Sequence, residues 1–224
     1  MKLVNLQIAL FFENRLERPD LFANRINSRL NNSFDAMPQI INLPDEAPAD
    51  IPVVQMHSSR DDSRFNVSKQ RCDLFLSPEL LAQTSLSSSV NNCQELFYEY
   101  LKSVFEETQG IIRVGLIATG FEEKADSAMH ISEKYLSTSS PCKEVSIRIN
   151  RPETADGFDL NNILEISDGN LINEKLGINQ TGIVIKRDIN NVPKDGVLLT
   201  SKNIKTIWKR ALLYFTDKKI GEIK

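Results

Sequence analysis

The chain has 224 residues, 41% hydrophobic and 25% charged, which is the composition of a folded globular protein with a large core. No window approaches the roughly 18 consecutive apolar residues of a membrane-spanning helix. The apolar run in residues 1–12 lacks the small-residue cleavage site of a signal peptide. Three cysteines without metal-ligand spacing, Cys72, Cys93 and Cys142, predict reduced thiols in a cytoplasmic protein, and neither a metal nor a cofactor is expected.

The net charge of −3 hides an uneven distribution along the chain. Residues 181–224 contain ten Lys and Arg against four Asp and Glu, so this segment carries +6 and the other 180 residues carry −9. A basic C-terminal segment is typical of proteins that bind nucleic acid or an acidic partner, but an ordinary solvated helix face has the same composition.

The first 110 residues predict a strand, a helix, several short strands and a longer helix. Apolar and polar residues partly alternate over residues 3–12, which favours a strand, and Pro19 and Asp20 favour a helix start. Short strands are expected at residues 40–41, 53–57, 65–67 and 72–76, the last two as a hairpin. After a serine-rich connection at 78–89, Gly110 is expected to end the longer helix with a positive φ. One apolar stripe of that helix contains Leu96, Phe97, Tyr100, Leu101, Val104 and Phe105.

The remaining residues predict the same order of elements again. Residues 111–121 form a β-rich run, and residues 122–136 are expected to form a helix that buries Ala125, Met129 and Tyr135. Residues 145–149 alternate as a half-buried strand does. A strand at 163–166 is expected to stop at Asp168 and Gly169, a further strand covers 182–189, and residues 204–214 form the last helix.

Residue matches between the two parts favour an internal duplication. At an offset of 109, residues 8–15 match residues 117–124 in Ile, Ala, Phe and Glu. At an offset of 111, four apolar residues of one long helix fall on apolar residues of the other, with Phe97 on Trp208. The alternative is two unrelated α+β halves packed into one domain.

The predicted fold class is therefore α+β. Two tandem β-α-β(3-4)-α helix-grip-like halves, residues 1–110 and 111–224, would form a mainly antiparallel curved sheet with helices on one face, because a sheet and a helix each bury one apolar side. This order of elements resembles the duplicated fold of the TATA-binding protein family, and such a likeness of fold carries no function with it.

Four segments carry a second resemblance. They are residues 53–75, the amphipathic helix that follows, the triplet Arg113-Val114-Gly115, and the triplet Asp188-Ile189-Asn190 before the last helix. Together they are similar to a sporadically distributed bacterial family of uncharacterised function and similar length. The resemblance covers most of the chain and implies no catalytic residues.

The sheet face turned away from the helices is the leading candidate for a binding surface. If the apolar residues of each strand face the helices, the cations Arg71, Arg113, Arg148 and Lys186 project the other way, together with Asp73 and Asp188. A row of such cations suits the carboxylates of a protein partner or phosphates, although solvent-facing strands also carry charge without any ligand. The leading hypothesis is a non-enzymatic binding protein of bacterial type, with a homodimer across this face as a further expectation.

Two alternatives stay open. A nucleic-acid-binding protein would use the sheet or the basic final segment, which contains Lys202, Lys205, Lys209, Arg210, Lys218 and Lys219. A metal-dependent hydrolase would use His57 as base with Asp61 and Asp62 as metal ligands, but an Arg-Asp-Asp-Ser run is also ordinary turn chemistry.

Overall fold

The computed structural model describes residues 1–44, 46–77, 84–138 and 142–223 of the chain. Its strands are β1 (Lys2–Phe12), β2 (Gln39–Ile40), β3 (Val54–His57), β4 (Ser63–Val67), β5 (Arg71–Leu76), β6 (Ile111–Glu123), β7 (Ser146–Ala155), β8 (Phe158–Asn173) and β9 (Ile178–Asn191). They form one antiparallel sheet in the order β2-β3-β4-β5-β1-β6-β9-β8-β7. The prediction of an α+β fold with an antiparallel sheet is confirmed.

The helices pack against one face of this sheet. They are α1 (Pro19–Arg29), α2 (Leu86–Asn92), α3 (Gln94–Glu107), α4 (Ser127–Ile131), which continues as a π-helical turn (Ser132–Leu136), and α5 (Ser201–Leu212). They contact β1, β3, β4, β6, β8 and β9. In the part of the chain that the structure describes, none of them is both long and apolar enough to cross a membrane.

Alternation along the strands decides which side chains reach the helices. In β1, Leu6, Ile8 and Leu10 are fully buried beneath them, whereas the intervening Gln7 and Phe11 lie on the other face and are half-buried. We call this second face, which no described helix covers, the open face. The core between sheet and helices therefore takes every second strand side chain, most of them apolar, with the buried Asn162, Arg187 and Asn191 as polar exceptions.

The long helices α3 and α5 meet under the middle of the sheet. Phe97 and Trp208 are both fully buried, and their rings stack with centroids 4.4 Å apart. α5 starts at a capping box, in which Thr200 Oγ1 accepts from the backbone N–H of Asn203 and Asn203 Oδ1 accepts from that of Thr200. The two helices thus form a fixed layer behind the sheet.

The predicted helix at residues 122–136 is wrong in its first turn. β6 continues to Glu123, because that residue still pairs with Gly182 of β9, and α4 begins only at Ser127. Its buried residues are Ser127, Ala128 and Ile131, not Ala125 or Met129, and Tyr135 is half-buried. Paired glutamates at a strand end look like the start of a helix when the neighbouring strand is unknown.

Three other boundaries differ from the predictions. α3 ends at Glu107 through an extended Thr108, and Gly110 does not adopt a positive φ. The serine-rich connection contains α2, which Ser85 caps by accepting from Ser88 N–H, while residues 78–83 lie outside the described part. β8 runs without a break through Asp168 and Gly169, because β9 pairs with it over this stretch.

The order of the strands in the sheet is symmetric about the central β1–β6 pair. Outwards from β1 follow β5, β4 and β3, and outwards from β6 follow β9, β8 and β7. Each half also runs strand, helix, strands and long helix in the same chain order. The halves are joined as one continuous sheet, and their origin by duplication stays a prediction.

Candidate functional site

The strand register puts the four predicted cations of the sheet on the open face. Phe11 of β1 pairs with Arg71 of β5 on one side and with Arg113 of β6 on the other, so the three side chains share a face. Arg148 of β7 and Lys186 of β9 both pair with Glu165 of β8. The two groups lie on opposite halves of the same open face.

Phe11 lies between two guanidinium groups. The Cζ atoms of Arg71 and Arg113 are 4.7 and 5.0 Å from the centroid of its ring. Both distances are within the range of cation–π attraction, which fixes planar guanidinium groups against an aromatic surface. We call Arg71, Phe11 and Arg113 the arginine–phenylalanine cluster.

The two arginines of this cluster have different partners. Arg71 forms an ion pair with Asp73, at 2.6 Å from Nη2 to Oδ1, and Gln7 donates to the same carboxylate oxygen. Arg113 Nη2 donates to the neutral amide oxygen of Asn190 at 3.0 Å, and its buried Nε has no hydrogen-bond partner among the described residues. Among the described residues, no carboxylate forms an ion pair with the Arg113 guanidinium within 4 Å.

A chain of amides continues from Arg113 across the second half of the sheet. Asn161 Nδ2 and Arg113 both donate to Asn190 Oδ1, and Asn190 Nδ2 donates to Asp188 Oδ1 at 3.0 Å. Burial raises the pKa of the Asp188 carboxyl group, although the hydrogen bond from Asn190 and the charge of Arg113 oppose that rise. The network holds Arg113 in place from one side while Phe11 holds it from the other.

The two triplets that carry the bacterial resemblance meet at this point. Gly115 of the first triplet pairs with Asn190 of the second, next to the hydrogen bond from Arg113. The neighbouring Asn191 fixes the strand end, because its Oδ1 accepts from Val114 N–H at 2.7 Å and its Nδ2 donates to Ile112 O. Asn191 is a site residue that the sequence pattern does not single out; two successive asparagines after a strong strand are the available signal.

The outer pair of predicted cations shares one carboxylate. Arg148 Nε lies 3.0 Å from Glu165 Oε1, and Lys186 Nζ lies 3.3 Å from Glu165 Oε2. The side chain of Arg148 is 60% exposed at the edge of the sheet. Such exposed ion pairs contribute little to stability, and the three side chains together keep a net charge of +1.

The residues of the hydrolase alternative lie at one end of the open face. His57 and Asp61 line a cavity of about 450 Å³ together with Arg64, whose guanidinium stacks on Phe75 at 4.4 Å. The carboxylate of Asp62 is held by Ser58 and Arg60. No three His, Cys, Asp or Glu side chains within the described ranges are grouped as a metal site requires, so this alternative lacks a complete set of ligands.

The structure separates the basic residues of the final segment. Lys202, Lys205 and Lys209 line one cavity beside α3. Arg210 instead forms a two-pronged pair with Glu153 of β7, at 3.2 and 2.8 Å, and Lys218 and Lys219 follow the end of α5. Of the six predicted basic residues, only these three lysines therefore line one common cavity on α5.

The Arg210–Glu153 pair ties α5 to the edge strand β7 and should appear in the pH dependence of stability. Hydrogen bonds from Arg210 and Tyr214 outweigh burial and lower the pKa of Glu153 in the folded protein. A carboxyl group with a lowered folded-state pKa stabilises the fold above its unfolded pKa of about 4.3, and that contribution is lost as the pH falls. We expect Glu153→Gln to lower the free energy of unfolding by about 1 kcal/mol at neutral pH and by less in acid.

Urea unfolding at a series of pH values, followed by circular dichroism, measures this difference. Glu133→Gln, at an exposed position on the π-helical turn, is the matched control and should keep the pH dependence of the parent protein. An unchanged difference between parent and Glu153→Gln from neutral pH down to acid would show that the Arg210 pair is not linked to folding.

Comparison with known proteins leaves the site to be interpreted from its own geometry. No protein-family model and no curated protein matches this chain. The resemblances to the bacterial family and to the TATA-binding protein fold stay predictions. The features available for a functional conclusion are the open face, the arginine–phenylalanine cluster on it and the separate lysine cavity behind it.

Proposed function

We propose that this chain is a non-enzymatic binding protein that uses the open face of its sheet to bind a protein partner through acidic side chains. The observation that carries the proposal is Arg113. It is half-buried, its guanidinium is held by Phe11 and Asn190, and its Nε–H has no partner among the described residues. The buried Nε–H is out of reach of a partner, but the rest of this half-buried guanidinium is held in place and can donate to a carboxylate.

The surroundings of Arg113 suit a protein surface. Arginine and aromatic residues dominate the energetically important positions of protein interfaces, and the cluster combines both at one end of the three central strands β5, β1 and β6.

The cellular setting is part of the proposal. The cysteines Cys72, Cys93 and Cys142 are all free thiols. Unpaired thiols are the usual state in a reducing compartment, which supports a bacterial cytoplasmic protein. A second copy of the chain is one partner that the open face could accept, and the experiment below distinguishes it from a different protein.

We expect Arg113→Gln to weaken partner binding by about 30-fold or more, because the loss of a central interface arginine typically costs at least 2 kcal/mol. The tagged parent protein and the variant are used as baits in a bacterial lysate. A protein retained by the parent is then identified by mass spectrometry, purified and titrated by calorimetry. Arg148→Gln is the matched control, since it removes one positive charge from the same face at an exposed, paired position. It should change the affinity less than about 3-fold.

Equal affinities of the parent and Arg113→Gln for the purified partner would contradict the proposal. A loss with Arg148→Gln as large as that with Arg113→Gln would contradict it too, because overall charge would then explain the result. If the retained protein is the chain itself, light scattering of the parent protein will show a dimer, and Arg113→Gln should dissociate it.

A further inference from the structure

A second basic surface lies on the opposite side of the molecule from the open face. A cavity of about 570 Å³ between α3 and α5 is lined by Tyr98, Ser201, Lys202, Lys205, Thr206 and Lys209. We call it the lysine groove. Its lining has three ammonium groups, two aliphatic hydroxyl groups and the phenol ring of Tyr98, and it includes no carboxylate.

The lysines of the groove have no counter-ions. Among the described residues, no carboxylate lies within 4 Å of the Nζ atoms of Lys202, Lys205 or Lys209, and α5 itself contains no Asp or Glu. Lys205 Nζ instead lies over the ring of Tyr98, 5.0 Å from its centroid. The nearby cation Arg210 is already neutralised by Glu153.

The position of Lys202 does not favour helix stability. It lies in the first turn of α5, where the positive end of the helix dipole repels cations and no acidic residue offsets the repulsion, whereas Lys209 lies in the favourable last turn. A bound polyanion would remove this repulsion and would also supply the missing counter-ions.

We infer that the lysine groove binds the phosphate backbone of single-stranded nucleic acid. Lys202, Lys205 and Lys209 follow one face of α5 and span about 10 Å along its axis at 1.5 Å per residue. Successive phosphates of a stacked strand advance by about 3.4 Å, so the three ammonium groups cover about three phosphates. A single phosphate would leave part of this row unpaired.

The aromatic ring of Tyr98 favours single-stranded over duplex nucleic acid as the ligand. The half-buried ring lines the groove with Lys205 Nζ over it, and a base would stack on this ring in place of Lys205 once that ammonium group pairs with a phosphate. The bases of a duplex are paired and stacked internally and would not reach this ring. An acidic peptide would pair with the lysines without a requirement for the ring, which makes it a distinguishable alternative.

The experiment measures the fluorescence anisotropy of a labelled short oligothymidylate with the full chain. The groove variant is Lys202→Gln, Lys205→Gln and Lys209→Gln together. The matched control is Lys143→Gln, Lys218→Gln and Lys219→Gln together, which removes the same charge from exposed positions outside the groove. Circular dichroism melts establish that both triple variants are folded.

The parent protein should bind, and its affinity should fall on the order of 20-fold between about 50 and 200 mM salt, as about three phosphate contacts require. The groove variant should bind about 10-fold or more weakly at the low salt concentration and lose most of this salt dependence, while the control stays within about 3-fold of the parent. Tyr98→Leu should weaken binding of the oligothymidylate but not of inorganic polyphosphate.

Three results would overturn the inference. They are no binding by the parent at low salt, equal losses in the groove and control variants, and displacement of the oligothymidylate by polyglutamate more readily than by unlabelled oligothymidylate. The last result would identify an acidic peptide as the ligand. None of these results bears on Arg113, so the proposed function of the open face is tested separately.

Discussion

Replacement of Trp208 by alanine is expected to lower the free energy of unfolding by about 3–5 kcal/mol, the usual cost of truncating a large buried aromatic residue. Trp208 is fully buried in α5, and its ring stacks on Phe97 of α3 at 4.4 Å with an interplanar angle of 27°. Its removal would leave a cavity where the two long helices meet under the central strands. A loss of this size is a large share of the total stability of a typical domain.

The measurement is equilibrium unfolding in urea, followed by circular dichroism, because Trp208 is the only tryptophan and its fluorescence is lost in the variant. Trp208→Phe is the control. The buried Nε1 of Trp208 has no acceptor among the described residues, so phenylalanine keeps an aromatic ring without breaking a hydrogen bond. It should cost less than about 1.5 kcal/mol. An alanine variant within 1 kcal/mol of the parent would show that the helices do not depend on this contact.

Gly182→Ala is the second substitution with a large expected effect. A Cβ atom at this position would lie 2.2 Å from the backbone oxygen of Glu122 and 2.6 Å from the ring of Phe121. The oxygen belongs to β6, which pairs with β9 here, so the backbone would have to move. We expect a loss of about 2–3 kcal/mol in the free energy of unfolding.

Gly115→Ala provides the matched control for this prediction. It introduces the same methyl group into a central strand of the same sheet, but the nearest atom, Ala9 Cβ, would be 3.6 Å away. The expected change is within about 0.5 kcal/mol of zero, because alanine is the better residue in a strand where its Cβ fits. Equal stability of the Gly182→Ala and Gly115→Ala variants in urea unfolding would contradict the close approach of β6 and β9.

The strands were largely predictable from local patterns, whereas the start of α4 was not. Alternation identifies β1 and β7 because in each strand one set of alternate side chains is more buried than the other. Glu122 and Glu123 resemble a first helical turn, but their pairing with Ile183 and Gly182 keeps them in β6. Strand pairing between residues 60 positions apart is a tertiary interaction, and local propensity does not contain it.

The sequence predicts which face of the sheet carries the candidate site, but it does not predict which side chains pair with the cations. Alternation alone assigns Arg71, Arg113, Arg148 and Lys186 to one side of the sheet, and the register agrees. The sequence does not reveal that Glu165 forms ion pairs with two of these cations, because those contacts depend on the register of β7, β8 and β9. Arg113 differs from the others through its partner Asn190, which lies 77 residues away.

The contact between Phe97 and Trp208 bears on the predicted duplication. At the offset of 111 these two residues are equivalent, and the structure stacks them on each other where the two halves meet. Equivalent residues contact each other only near an axis that relates two halves, and the mirrored strand order places such an axis between β1 and β6. Shared descent of the halves stays a prediction that this contact supports.

Hydroxyl-radical footprinting of the protein with and without its purified partner tests most directly whether the open face is the binding surface. Phe11 and Phe75 report on the open face, and the exposed Met129 and Leu213 report on the helical side. We predict that the partner reduces oxidation of Phe11 and Phe75 and leaves Met129 and Leu213 unchanged. Protection of Met129 and Leu213 with no change at Phe11 and Phe75 would contradict the account.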